Sequence, residues 1–174
     1  MTFENNTLLL EKLRPLHVPA ALQIQSEAYP AFLVEEEHVF VSRMNLVNSY
    51  CYAAVRGGEL LGYLLAHGWR RGTPAPVRTA LTDGVPSEVL FIHDLATALS
   101  GRGLGIGRKL ITHAFELAAQ DGLQDAELIA VEGAANYWRR LGFVEGAISE
   151  PLRAKVARYG TRARWMTREI LAAS

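Results

Sequence analysis

Ser100-Gly101-Arg102-Gly103-Leu104-Gly105-Ile106-Gly107-Arg108-Lys109 is the stretch on which the reading of this chain turns. It follows an apolar run, Val89-Leu90-Phe91-Ile92, and opens a segment in which Ile106, Leu110, Ala114 and Leu117 fall at helical spacing. A strand that delivers into several glycines and then a helix makes a cradle for an anion. The glycines let backbone approach a ligand closely, and the first N–H groups of the helix point at it. The expected occupant is a phosphate or pyrophosphate.

Outward from this turn, the apolar pattern predicts a mixed α/β domain around one sheet. Residues 8–13 read as a first strand stopped near Pro15, and Ala21, Ile24 and Ala28 mark a helix over 18–28 that ends before Pro30. A second helix is expected from about Glu35 to Asn48, with its glutamates in the first turn, where the helix dipole favours them. Two apolar runs, 50–55 and 60–69, flank Arg56-Gly57-Gly58-Glu59 and predict a hairpin. Residues 70–87, rich in Pro, Gly and Thr, read as a long loop. Val89 to Ala96 and Ala126 to Val131 are expected as buried strands, with a helix from Gly105 to Gln120 between them. Ala134 to Leu141 is a short helix ended by Gly142, and 143–148 and 163–170 complete the chain as strands. No repeat, low-complexity segment or linker interrupts it, so residues 1–174 form one domain.

Composition narrows the function classes. The 18 basic and 18 acidic residues cancel, which removes the electrostatic case for nucleic acid or a membrane surface as partner. Charge is uneven, with an acidic first 50 residues and a basic run from Arg153 to Arg168. Cys51 is the single cysteine, so neither an internal disulfide nor a cysteine-rich metal site can form. Met1–Thr7 has no secretory character and no apolar run approaches the roughly 20 residues that span a bilayer, so a cytoplasmic protein is expected.

The ligand of the glycine turn can then be narrowed. A nucleoside triphosphate loop needs Gly-Lys-Ser/Thr, but Lys109 is followed by Leu110. A dinucleotide fold needs Gly-x-Gly-x-x-Gly in the first βα unit, but these glycines alternate and fall late in the chain. Arg102-x-x-Gly105-x-Gly107, between a strand and a helix, resembles the pyrophosphate-binding motif of the GNAT superfamily of acyl-CoA-dependent N-acyltransferases. About thirty residues on, Ala134-Ala135-Asn136-Tyr137-Trp138-Arg139-Arg140-Leu141-Gly142-Phe143 is similar to that family's second signature, Ala-x-x-Phe-Tyr-x-x-x-Gly-Phe. Within the superfamily, Leu61–Trp69, the long loop and Phe91-Ile92-His93-Asp94-Leu95-Ala96 resemble the arylalkylamine (serotonin-type) N-acetyltransferases and their bacterial relatives.

The resemblance implies a GNAT fold: a single mixed sheet of about seven strands, two of them parallel and splayed, with four helices. It implies acetyl-CoA as the acyl donor. Backbone groups of Leu95, Ala96 and Thr97 would hold the pantetheine arm, and Arg102, Gly103, Leu104, Gly105, Ile106, Gly107 and Arg108 the pyrophosphate. Asn136 and Trp138 would lie beside the distal pantetheine and thioester. His93 matches one of two histidines that the arylalkylamine enzymes carry on this strand, while Phe91 replaces the other. Imidazole titrates nearest neutral pH, so His93 is the expected base for the acceptor amine. Strand alternation would set it on the same face as Leu95. The family's proton-donating tyrosine aligns with Trp138, whose indole N–H cannot act as a useful acid. Water, Tyr29 or Tyr137 must then protonate the leaving thiolate. That is tolerable, since a thiol has a pKa of about 8–9.

The acceptor is expected to be a small primary amine, aromatic or otherwise apolar, attacking directly in a ternary complex. Tyr29, Phe32 and Trp69 would form an apolar wall, with Glu35 and Glu36 attracting an ammonium. Two alternatives stand beside this reading. One is a catalytically weak acyl-CoA-binding or regulatory domain, motivated by Trp138. The other is protein or peptide acetylation, with the acidic first half docking a basic segment. The assembly is expected to be a monomer or homodimer.

Overall fold

The computed structural model describes residues 6–170; Met1–Asn5, read above for their lack of leader character, lie outside them. The strands are β1 (Leu9–Lys12), β2 (Tyr52–Arg56), β3 (Glu59–Trp69), β4 (Val89–Thr97), β5 (Asp125–Ala130), β6 (Val144–Glu145) and β7 (Arg164–Glu169). The helices are α1 (Val18–Ala28), α2 (Glu37–Met44), α3 (Ile106–Gln120), α4 (Ala135–Arg140) and α5 (Glu150–Ala157). The strands form one seven-stranded sheet in the order β1-β2-β3-β4-β5-β7-β6. Gly57 and Gly58, at φ 58° and 79°, supply the two left-handed residues that a tight hairpin turn requires between β2 and β3.

Among the described residues only β4 and β5 are parallel, and their ladder is short: Leu90↔Ala126, Phe91↔Glu127 and Ile92↔Leu128. Past these pairs, β4 keeps its partner β3 as far as Thr97 and β5 keeps β7 as far as Ala130. The two central strands therefore part, and the inner edge of β4 from His93 to Thr97 is left open. This is the splayed pair that the resemblance implied.

Helices cover both faces. On one, Leu110, Ala114 and Ala118 of α3 pack with Leu90, Ile92 and Leu128 of the sheet and Trp138 of α4. On the other, Ala21 and Ile24 of α1 and Phe40 and Met44 of α2 pack against Tyr63, Leu65 and Ala96. The wholly buried Leu110 alone stabilises the fold by about 1.5–3 kcal/mol relative to an exposed leucine.

Three departures from the sequence reading bear on the site. The second helix begins at Glu37 rather than Glu35 and ends at Met44, so only one glutamate sits in its first turn. Glu35 is held back because Gln25 captures its backbone on both sides, accepting from its N–H and donating to its carbonyl at 3.2 Å each. Four helices have seven or more residues, in the number expected, but one of them is α5, where no helix was expected. Ser149 caps it by accepting from Leu152 N at 3.3 Å, and Pro151 lies in its first turn. Finally, the predicted strand 143–148 contracts to the two residues of β6.

Candidate active site

The glycine turn folds as its sequence implies. Gly103 and Gly105 take φ of 81° and 68°, which L side chains rarely adopt, and a Cβ at either would meet no atom within 4 Å. These glycines thus serve backbone shape and open onto free space. Gly105 is the N-cap of α3, and Lys109 N to Gly105 O is the first turn of the helix at 3.1 Å. The N–H groups ahead of it have no carbonyl within the helix to meet. With Thr97, Arg102, Ile106, Arg108, Tyr137 and Arg140 they border a hollow of about 310 Å³. That hollow fits a pyrophosphate: bare N–H donors, a helix N-terminus and flanking arginines. Leu104, expected to contribute through its backbone, packs its side chain onto the α3 core. Arg140 was not singled out from sequence, although a basic residue next to Arg139 in the second signature is the signal for it.

Thr97 and Tyr137 border this hollow and also a deeper cleft of about 310 Å³ between the parted strands. Leu95 and Ala96, His93, Tyr29, Glu35 and Trp138 line the cleft, so the structure brings together most of the residues expected to carry the chemistry. It also adds Asp94, Leu33, Val77, Phe91 and Tyr159.

His93 lies at a β-bulge. Leu65 pairs with Asp94 and Ala66 with Ile92, so His93 is the extra residue on β4. The bulge overturns the expected alternation. Leu95 packs towards α3, whereas His93 faces Glu35 on the opposite side, and Asp94 joins it there. His93 Nε2 and Glu35 Oε1 are 2.5 Å apart. The other carboxylate oxygen, Oε2, accepts from Arg78 N at 2.8 Å and pairs with Arg43 Nη1 at 3.3 Å. Burial works to raise the Glu35 carboxyl, but His93, Arg43 and the Arg78 N–H outweigh it, and its pKa ends below the usual value. Glu35 is therefore an ionised acceptor, so the proton of the short contact belongs to His93 Nε2. When the ring is neutral, its lone pair is then on Nδ1.

Asp94 is buried, and Tyr63 Oη donates to its Oδ2 at 2.6 Å. Its Oδ1 is enclosed without a hydrogen-bond partner. Tyr29 Oη donates to Leu95 O at 3.0 Å, on the open segment of β4. Tyr137 is half-buried at the junction of cleft and hollow, and a Cβ on Gly107 would overlap its hydroxyl. Trp138 is buried edge-on against Phe143, 5.4 Å between ring centres, and lines the cleft beside it.

Four predicted residues are placed elsewhere. Trp69 packs in a core of Leu81, Phe91, Leu152 and Trp165 below the cleft, because β3 runs past the splay before reaching it. Glu36 is exposed and pairs with His38 at 3.3 Å, and Phe32 is 46% exposed outside the lining. Asn136 faces outward, its Oδ1 accepting from Arg139 at 2.6 Å. Tyr159 had no sequence signal, since it follows the unexpected helix α5; its hydroxyl donates to Ala75 O at 3.0 Å.

A seven-stranded sheet parted at its one parallel pair, with an anion cradle at the mouth of the gap, defines an acyl-CoA-dependent acyltransferase. The sequence profile described as Acetyltransferase (GNAT) family matches residues 18–143, and the chain belongs to that family. It is an acetyltransferase that uses acetyl-CoA and an acceptor substrate. No curated protein matches it in sequence. Among solved structures it is similar to Ard1 from Thermoplasma volcanium, at 13% identity, TM-score 0.71, and 94% and 98% coverage of the two chains. The ribosomal-protein-S18-alanine N-acetyltransferase from Escherichia coli is similar at 18% identity and TM-score 0.69, with 97% of each chain covered. Naa50 of Arabidopsis thaliana, in complex with a bisubstrate analogue CoA-Ac-MVNAL, is similar at 12% identity and TM-score 0.65, covering 92% and 97%. At these identities the likeness establishes the fold alone. Among the described residues no helix is long and apolar enough to cross a membrane.

Proposed function

We propose that this acetyltransferase acts on a small, apolar or aromatic primary amine, with His93 as the base, in the manner of the arylalkylamine group that its sequence resembles. The observation that carries this reading is how the acceptor end of the cleft is closed. The 70–87 loop is pinned over it by three bonds: Tyr159 Oη to Ala75 O at 3.0 Å, Arg43 Nη2 to Pro76 O at 2.8 Å and Arg78 N to Glu35. Behind these bonds the lining is Leu33, Val77, Phe91 and Tyr159. Such an enclosure suits a small apolar body better than an extended polypeptide.

Glu35 fixes the His93 ring and balances the charge that the ring gains when it takes a proton. The amine attacks with its lone pair free, and His93 Nδ1 takes the one proton that nitrogen sheds as it bonds the acetyl carbon. N–H groups on the open edge of β4, at Leu95–Thr97, would face the oxyanion. The cradle from Arg102 to Arg108 would anchor the pyrophosphate and so fix the depth of the thioester. When bound, acetyl-CoA supplies an activated acetyl group.

The test is a panel of primary amines assayed with acetyl-CoA by thiol release. Turnover is expected with arylalkyl and short alkyl amines, falling about 100-fold or more in His93→Ala, the usual scale of a lost general base. Turnover confined to peptides or aminoglycosides would overturn the substrate assignment.

A further inference from the structure

We propose that Tyr29 and Asp94 form the proton-donating pair of this enzyme, standing in for the tyrosine that Trp138 displaces: Tyr29 Oη gives its proton to the departing thiolate, and Asp94 Oδ1 replaces it. The assignment rests on the cleft being the place of acetyl transfer, and not on which amine is used.

The argument begins from hydrogen-bond satisfaction. Asp94 has two carboxyl oxygens inside the protein. Tyr63 fills Oδ2 at 2.6 Å, and Oδ1 has no donor. Tyr29 lies beside the Asp94 carboxyl, and its single hydroxyl hydrogen is directed at Leu95 O, 3.0 Å away. An ionised Asp94 would leave a buried charged oxygen unpaired, which is strongly unfavourable. A proton on Oδ1 resolves the deficit. With Oδ1–H turned to Tyr29 Oη, Tyr29 donating to Leu95 O and Tyr63 to Oδ2, every group in the chain would be paired. The surroundings favour that state. Burial raises the Asp94 carboxyl most, with Glu35 ahead of α2 adding to it, against Tyr63 on β3, His93 on β4 and Tyr29 at the end of α1. Arg43 of α2 is the cation on this side, and its charge is engaged by Glu35. Tyr137 of α4 faces Tyr29 from across the cleft.

Position completes the case. Tyr29 reaches Leu95 on the open segment of β4, and Trp138 lines the same cleft. Burial also holds the Tyr29 hydroxyl well above the ordinary phenol value, with Asp94 adding to it, so Tyr29 does not part with a proton unless one replaces it. Asp94 is that replacement. In the transfer, the amine nitrogen bonds to the acetyl carbon and gives a proton to His93. The carbon–sulfur bond breaks with its electron pair left on sulfur, and sulfur takes the Tyr29 proton. Asp94 Oδ1 restores Tyr29 and is left as a carboxylate next to protonated His93. Transfer of one proton from His93 to Asp94, its neighbour in the chain, returns both to their starting state.

Two measurements decide it. Infrared difference spectra of the free enzyme against Asp94→Asn at neutral pH should show the carbonyl band of one protonated carboxyl; a carboxylate signature instead overturns the proposal, whatever amine is turned over. In thiol-release assays, Tyr29→Phe and Asp94→Asn should each lose about 100-fold in kcat, and the double variant should lose no more than either alone, as expected of groups acting as a unit. Trp138→Tyr should restore most of the activity lost in Tyr29→Phe by placing a phenol at the family's usual position. Losses that multiply in the double variant, or Tyr29→Phe at full rate, or no recovery with Trp138→Tyr, overturn it.

Discussion

Glu35 shows how much one side chain can settle. It is 3% exposed and joins four segments: α1 through Gln25, α2 through Arg43, β4 through His93, and the 70–87 loop through Arg78 N. Its carboxyl pKa is lowered in the fold, so it binds its proton less readily there than in the unfolded chain. The stability it contributes is in place above its ordinary pKa near 4.5 and is lost as pH falls through the lower folded value. Glu35→Gln keeps the shape but leaves Arg43 buried without its counter-charge, which should cost about 3–5 kcal/mol at pH 7. Urea denaturation from pH 7 down to pH 3 checks this: the gap between wild type and variant should narrow at the acid end. A gap independent of pH would show that the carboxylate charge is not what stabilises this corner. Glu35 was legible in the sequence only as one of three consecutive glutamates. Which of the three turned inward depended on Gln25, ten positions earlier.

At the scale of elements, the strand-turn-helix of β4, the glycine turn and α3 was almost wholly legible, because its glycines report local backbone geometry. The contacts of those glycines were not. Gly107 has an ordinary helical backbone; what forbids a side chain there is Tyr137, whose hydroxyl occupies the place of a Cβ, with Leu95 Cδ2 at 3.4 Å. Gly107→Ala must therefore push Tyr137 into the path between cradle and cleft. CoA affinity measured by calorimetry should fall about tenfold, corresponding to about 1.4 kcal/mol. Tyr137→Phe in the same background removes the overlapping oxygen and should restore most of it. A loss that persists in the double variant would place the effect in the cradle backbone rather than the tyrosine. The bulge at His93 belongs to this scale as well. One inserted residue turns both His93 and Asp94 towards α1 and α2, and nothing in a run of alternating side chains announces it.

For the whole molecule, the consequence of the splay is that the halves of the sheet are joined by only three paired positions of β4 and β5, helped by the α3 core. A ligand that enters the gap and grips both walls ties the halves together. Binding at 100 times Kd stabilises a protein by about 2.7 kcal/mol. For a chain of this size that should raise Tm by roughly 5–10 °C. Calorimetric scans with CoA should show the rise, and Arg102→Ala with Arg108→Ala should reduce it. No shift at saturating CoA would contradict the cradle assignment.

Beyond a family resemblance that implied CoA, what the sequence determined by itself were features that depend on neighbours along the chain: the Gly-Gly hairpin, the glycine turn and the amphipathic α3. These follow from dihedral limits and helical periodicity, which act over a few residues. The tertiary structure alone decided the chemistry of the cleft. Glu35 meets His93 across 58 positions, Tyr63 meets Asp94 across 31, and Tyr29 meets Leu95 across 66. It also decided that Trp69 is core and that Tyr159 lines the cleft. Such pairings depend on which faces the sheet brings together, and on the bulge that sets the phase of β4.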